Sequence, residues 1–236
     1  MTLQGTPRPE WLTFDCYGTL IQWDEGLIAA ARRILDRHGK ADLDPHALIQ
    51  AYDHIEHARE QQLPFQRFDV IAGESLADAM KKLQLDCTAG DVRELIDAIP
   101  TMTPFPEVPP TLGLLKEAGF RLCIISNTAD HLIAGNVAQL GKDVMDRVIT
   151  AQQAGSYKPD HRLFEHAWRQ LGVDKAATCH ICASPRLDHT AARNLGFRCI
   201  WIDRGTGRRR LDDYVPDMTL PTLDKVLETF RSLGWI

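Results

Sequence analysis

One strand-like run, Trp11 to Phe14, is followed by a long stretch with no second strand, and only then does the chain begin to alternate. That order constrains the fold more than any other feature. Past residue 110, helix and strand patterns take turns: helix Thr111–Ala118, strand Arg121–Ile125, helix Asp130–Leu140, a short strand near Val148 and helix His161–Leu171. Strand Cys179–Ala183, helix Leu187–Leu195 and strand Arg198–Ile202 complete the series. Such alternation builds right-handed βαβ units and a parallel sheet. The Trp11–Phe14 strand finds its partners only there. The fold class is therefore α/β: a doubly wound, Rossmann-like parallel sheet core with an inserted all-helical cap domain. The core takes residues 1–20 and 104–236, and the cap residues 21–103.

The insertion reads as about four consecutive helices. Asp24 is placed to cap the first, whose apolar side carries Leu27, Ile28, Ala31, Ile34 and Leu35. Asp44-Pro45 opens the second, with proline in the first turn, where its missing N–H costs nothing. Patterns over Phe68–Leu85 and Thr88–Ile99 give the third and fourth. The proline-rich segment 101–110 ends the block.

Composition narrows the function. The net charge is −5, which gives no reason to expect nucleic acid or an anionic membrane surface as partner. Met1 to Pro7 carries no basic start and no apolar run, so neither a signal peptide nor a membrane anchor is expected, and no apolar segment is long enough to span a bilayer. The six cysteines are scattered, and most lie in strand-like runs. They read as reduced thiols of a cytoplasmic protein. Cys179 and Cys182 have redox spacing, yet on a strand that spacing sends the two sulfurs to opposite faces, so they read as buried thiols. The basic loop Arg204–Arg210 reads as a solvated turn, and Asp53, His54, Glu56 and His57 as a solvated helix face.

Four places carry chemistry. The first strand runs into Asp15, followed by Cys16, Tyr17, Gly18 and Thr19. The strand ending at Ile125 leads to Ser126 and Asn127, Lys158 sits in the turn 155–160, and the strand ending at Ala183 leads to Asp188. In a doubly wound sheet the carboxyl ends of the strands converge on one crevice. A carboxylate, a hydroxyl, a lysine and a second carboxylate would meet there, with Asp15 as a nucleophile. Tyr17 stands where a second acid would be needed to hold Mg²⁺ for phosphoryl transfer.

Asp15-Cys16-Tyr17-Gly18-Thr19, Ser126-Asn127, Tyr157-Lys158-Pro159-Asp160 and Asp188, in that order, resemble the motifs of the haloacid dehalogenase superfamily, in its L-2-haloacid dehalogenase branch. The resemblance implies a hydrolase that displaces a leaving group at C2 of a small 2-substituted carboxylic acid, with no metal or other cofactor. Asp15 would attack C2 and form an aspartyl ester, and water would then attack the ester carbonyl. Lys158 would keep Asp15 ionised, Thr19 would orient it, and Ser126 would bind the substrate carboxylate. Asn127 and the Tyr17 ring would shape the pocket, and Asp188 would fix Lys158 and help activate water. A homodimer is also implied.

Some substrate-specific groups depart from that branch. Its halide-binding arginine aligns near Tyr52-Asp53, with Arg59 the nearest replacement; Ala183, Pro185 and Phe164 replace polar residues. The chain is also similar to a smaller offshoot that opens azetidine-2-carboxylate, in which Asp53 would hold a substrate ammonium. A Mg²⁺ phosphatase and a non-catalytic binding domain complete the alternatives.

Overall fold

The computed structural model describes residues 3–236; the first two residues of the Met1–Pro7 segment and of the 1–20 core segment lie outside them. Six parallel strands form one sheet: β1 (Trp11–Phe14), β2 (Arg121–Ser126), β3 (Arg147–Thr150), β4 (Thr178–Cys182), β5 (Cys199–Ile202) and β6 (Met218–Leu220). Their spatial order is β3-β2-β1-β4-β5-β6. Strands β1, β4 and β5 are buried along their whole length, as expected where helices cover both faces of a parallel sheet. That is why their sequences read as continuous apolar runs rather than as alternating ones. The chain order reverses direction beside β1, so the carboxyl ends of β1, β2 and β4 border one crevice.

Between β1 and β2 the chain forms α1 (Trp23–Arg37), α2 (Pro45–Glu60), α3 (Phe68–Lys82), α4 (Ala89–Ala98) and α5 (Val108–Glu117). The first four pack on one another and hold no strand. Helices α6 (Asp130–Leu140), α7 (Ala151–Ala154), α8 (His161–Leu171), α9 (Thr190–Leu195) and α10 (Lys225–Ser232) belong to the alternating part.

Local chemistry explains most boundaries. Asp44 caps α2, its carboxylate accepting the His46 N–H at 3.0 Å, and Pro45 follows in the first turn. Thr88 and Asp91 form a reciprocal capping box on α4. Asp24, expected as the cap of α1, lies inside its first turn; Gln22 precedes the helix without a side-chain cap, and Asp24 accepts from Arg208 instead. Helix α5 begins earlier than expected, because Pro109 and Pro110 fall in its first turn, where no N–H is needed. The expected helix 187–195 is divided. Residues Pro185–His189 form one turn of π-helix, and α9 starts only at Thr190.

The insertion is stitched to the sheet side at Asn136 of α6. Its amide donates to the carbonyls of Ile99 (2.9 Å) and Met102 (3.0 Å), and its carbonyl accepts the Tyr17 hydroxyl at 3.0 Å. Gly135 permits this approach: a β-carbon there would lie 2.6 Å from the Pro100 carbonyl oxygen. Gly135→Ala should therefore destabilise the fold by about 1–3 kcal/mol through overpacking. A urea titration measures this, and an unchanged midpoint would contradict the tight junction.

Candidate active site

The site begins where β1 ends. The Asp15 N–H still bonds to the Ile181 carbonyl (3.0 Å), so the residue is held in register with β4. The chain then turns on Gly18, whose φ of +80° suits glycine, while Leu20 and Ile21 donate back to the Cys16 carbonyl. This turn returns Thr19 over Asp15. The Thr19 hydroxyl donates to Asp15 Oδ2 at 2.7 Å and accepts the Ala183 N–H at 2.8 Å.

Lys158 is fully buried and reaches both acids. Its Nζ lies 2.8 Å from Asp15 Oδ1 and 2.8 Å from Asp188 Oδ1. Asn127 fixes the lysine's backbone, accepting its N–H at 2.7 Å and donating to its carbonyl at 3.1 Å. Asp188 is also fully buried and stands within the π-turn. The same Asp188 oxygen lies 3.0 Å from His180 Nε2, and His180 Nδ1 lies 2.8 Å from the Thr13 hydroxyl. With Asp188 ionised, Nε2–H donates to it while Nδ1 shares a hydrogen bond with the Thr13 hydroxyl. Thr13 and His180 are register partners on β1 and β4, so the sheet itself aligns this relay.

The electrostatics follow from burial opposed by pairing. Burial disfavours the Lys158 ammonium, but the charge of Asp15 and then that of Asp188 more than reverse this, and its pKa is raised. Burial would also raise Asp188; the Lys158 ammonium and the His180 hydrogen bond overcome it and hold the carboxyl at about 2. Asp15 is 6% exposed and opens onto a cavity of about 410 Å³. Ser126 and Asn127 line the same cavity, and the Ser126 hydroxyl is buried without a protein partner. The Tyr17 ring forms part of the wall, its centroid 4.7 Å from that of Trp23.

The opposite wall comes from α2, and here the structure corrects two expectations. Asp53, Glu56 and His57 are not a solvated face; they line the cavity together with Glu60, and only His54 of the expected cluster points to solvent. The sequence also showed no third acid near Asp15 and Asp188, because nothing in α2's spacing says which face meets the sheet. Burial, reinforced by Glu56, raises Asp53 to about 6. Glu60 is raised by burial and by Glu56, although it accepts the Asn127 amide at 3.0 Å. Arg59 turns away from the cavity and pairs with Glu74 and Asp78, both at 2.6 Å.

The basic loop needs a correction too. Arg208 lines the cavity and donates to Asp24 (3.1 Å) and to the Ala183 carbonyl (3.3 Å). A β-carbon at Gly18 would lie 2.6 Å from its guanidinium, so glycine there also makes room for this side chain. Arg204 is largely buried against Glu107 (2.8 Å) and bonds to the Thr19 carbonyl (2.7 Å). Arg209 is solvated as expected.

Every group expected at the strand ends is thus brought together. Thr13, His180, Glu60 and Arg208 were missed, since their roles depend on strand register, helix orientation and loop path. Removing the buried cation should be costly. Lys158→Met should lower stability by about 3–5 kcal/mol by leaving buried carboxylates unpaired, and adding Asp188→Asn should recover part of it. Urea midpoints of the single and double variants measure both effects; an unaltered midpoint in the single variant counts against the bridging role.

Known proteins resemble this arrangement over nearly the whole chain. A sequence model of haloacid dehalogenase-like hydrolases matches residues 10–196. The (S)-2-haloacid dehalogenase of Pseudomonas sp. (strain YL) is 30% identical over 232 residues, covering 94% of this chain and 94% of that protein. The solved L-2-haloacid dehalogenase of Xanthobacter autotrophicus superposes with a TM-score of 0.83 at 22% identity, covering 95% of this chain and 99% of that one. A second structure of the Xanthobacter enzyme carries covalently bound chloropropionic acid, with a TM-score of 0.81 and 21% identity, covering 95% of this chain and 99% of that one. Sequence match, strand order and the residues gathered at the strand ends agree: this chain belongs to the haloacid dehalogenase-like hydrolases.

Proposed function

We propose that this hydrolase displaces halide from C2 of a small 2-halocarboxylic acid through an ester on Asp15, and that residues 21–103 act as the cap that closes the cavity. The observation that carries the reading is the Asp15–Lys158–Asp188 bridge. Lys158 Nζ contacts one oxygen of each carboxylate and sets a positive charge beside the attacking group. Tyr17 removes a further oxygen ligand. A metal-free displacement at carbon follows from that chemistry.

In the first step an Asp15 oxygen bonds to C2 and the carbon–halogen bond breaks, its electron pair leaving with the halide. Thr19 and Lys158 hold the two carboxylate oxygens in place. The free Ser126 hydroxyl receives the substrate carboxylate, and Arg208 supplies positive charge on the cavity wall. Asn127 serves the pocket chiefly by fixing Lys158 and Glu60. Water then attacks the ester carbonyl. Asp188 Oδ2 is buried and has no partner, so it is the acceptor available to that water. The products are a 2-hydroxy acid and regenerated Asp15. The related dehalogenase with bound chloropropionic acid supports a covalent route. The six free cysteines fit a reducing compartment, and no helix among the described residues is long and apolar enough to cross a membrane.

Single-turnover hydrolysis of 2-chloropropionate in ¹⁸O-labelled water should place label in the Asp15 carboxylate, and Asp15→Asn should abolish chloride release. Label confined to the product would end the ester mechanism. A second reading rests on the acids of α2. Asp53, Glu56 and Glu60 face the cavity, and Arg59, the nearest replacement for a halide-binding arginine, turns away. That wall suits a substrate ammonium, as in ring opening of azetidine-2-carboxylate. Parallel assays of chloride release and ring-opened product separate the two.

Asp53 also sets a pH dependence. Its carboxyl is neutral below about 6 and charged above, so it should repel an anionic haloacid as pH rises. KM should climb through that range in the wild type and stay flat in Asp53→Asn. An unchanged inflection in the variant would assign the effect elsewhere.

A further inference from the structure

A second cluster of reactive side chains lies behind Asp188 and plays no part in the chemistry above. Cys182 at the end of β4 and Cys199 at the start of β5 bring their sulfurs to 3.5 Å, although both remain free thiols. Cys179 has redox spacing to Cys182, but on a strand that spacing turns the two sulfurs to opposite faces. Strand register supplies Cys199 instead: Cys182 pairs with Trp201, and Cys199, two residues earlier, shares that face. His189 completes the group. A ring nitrogen of His189 and the two sulfurs all lie within 4.8 Å of one another. All three residues are buried, with exposures of 0%, 1% and 0% for Cys182, His189 and Cys199.

We propose that Cys182, Cys199 and His189 form a binding site for one thiophilic divalent cation of the zinc type. Two thiolates at about 2.3 Å from a tetrahedral zinc lie roughly 3.8 Å apart. The observed separation is close to that value without rearrangement of the strands. The imidazole gives an independent reason. His189 Nε2 is buried with no hydrogen-bond partner, and an unsatisfied buried polar group is unfavourable. Packed thiols alone leave that nitrogen unsatisfied, whereas an ion ligated at Nε2 would satisfy it. The neighbouring group His180, Cys182 and Asp188 is equally compact but is already engaged, since His180 bonds Thr13 and Asp188, and Asp188 holds Lys158. Of the two groups, the Cys182–Cys199–His189 set is the one that does not draw on the Lys158 bridge.

Binding would release the thiol protons to solvent and leave a fourth position for a small ligand such as water. The ion would clamp β4 to β5 and tie both to the π-turn. His189 directly follows Asp188 in that turn, and Cys182 directly precedes Ala183, whose N–H orients Thr19.

The test is equilibrium dialysis of the whole reduced chain against Zn²⁺ or Cd²⁺. One ion per chain is expected, with thiolate-to-cadmium absorption in the ultraviolet and a higher melting temperature. Binding should be lost in Cys199→Ser and in His189→Ala and kept in Cys123→Ser, whose cysteine lies on β2. Cadmium NMR of the unmutated chain guards against variants that do not fold; two sulfur ligands and one nitrogen support the site. Less than stoichiometric binding, retention in Cys199→Ser, or a resonance with fewer than two sulfurs overturns it.

Discussion

One buried ammonium organises this protein. Lys158 lies between Asp15 and Asp188 with no exposure to water, at 2.8 Å from each. Holding two carboxylates beside each other with so little exposure would be unfavourable without a positive charge between them. Further hydrogen-bond partners share the negative charge: Thr19 on one acid and His180, itself held by Thr13, on the other. Breaking any link leaves a buried polar group without its partner, so the relay constrains β1, β4 and the turns that follow them at once.

The sheet explains why so few residues suffice. Parallel strands end on one edge, and the reversal of chain order beside β1 opens a crevice at that edge. Everything attached to Asp15 therefore arrives from different strands at nearly the same height. Helix α2 supplies the opposite wall, and its acidic face makes the cavity's two sides chemically unlike: a paired and charged floor beneath a wall whose Asp53 carboxyl titrates near 6.

The floor was legible in the sequence because it obeys a local rule. A strand that ends in or runs straight into a polar residue places that residue at the edge, and Asp15 and Ser126 follow from this, with Lys158 in the loop between α7 and α8 and Asp188 in the turn after β4. The doubly wound core was legible for the same reason. The wall was not. Whether Asp53 or His54 meets the sheet depends on how a helix is rotated about its axis, and α2 has polar residues on most of its circumference. Arg208 was hidden because loop paths carry no periodicity. His180 and Cys199 were hidden because strand register pairs residues far apart in sequence. The edge strand β6 and helix α10 lie beyond the last strand that the pattern revealed; β6 has only three residues, too few to show a period.

The wide turn Pro185–His189 has a consequence for sequence divergence. In an ordinary α-helical turn each residue advances by about 100°, so neighbours face different directions. The looser π winding lets Asp188 and His189, adjacent in the chain, both point inward. Deleting a residue between Ser184 and Thr190 would tighten the winding and adding one would shift its phase, and either would rotate the carboxylate out of reach of Lys158. The segment can therefore exchange side chains freely only while its length stays fixed, and relatives that share the lysine bridge should vary here by substitution and never by insertion.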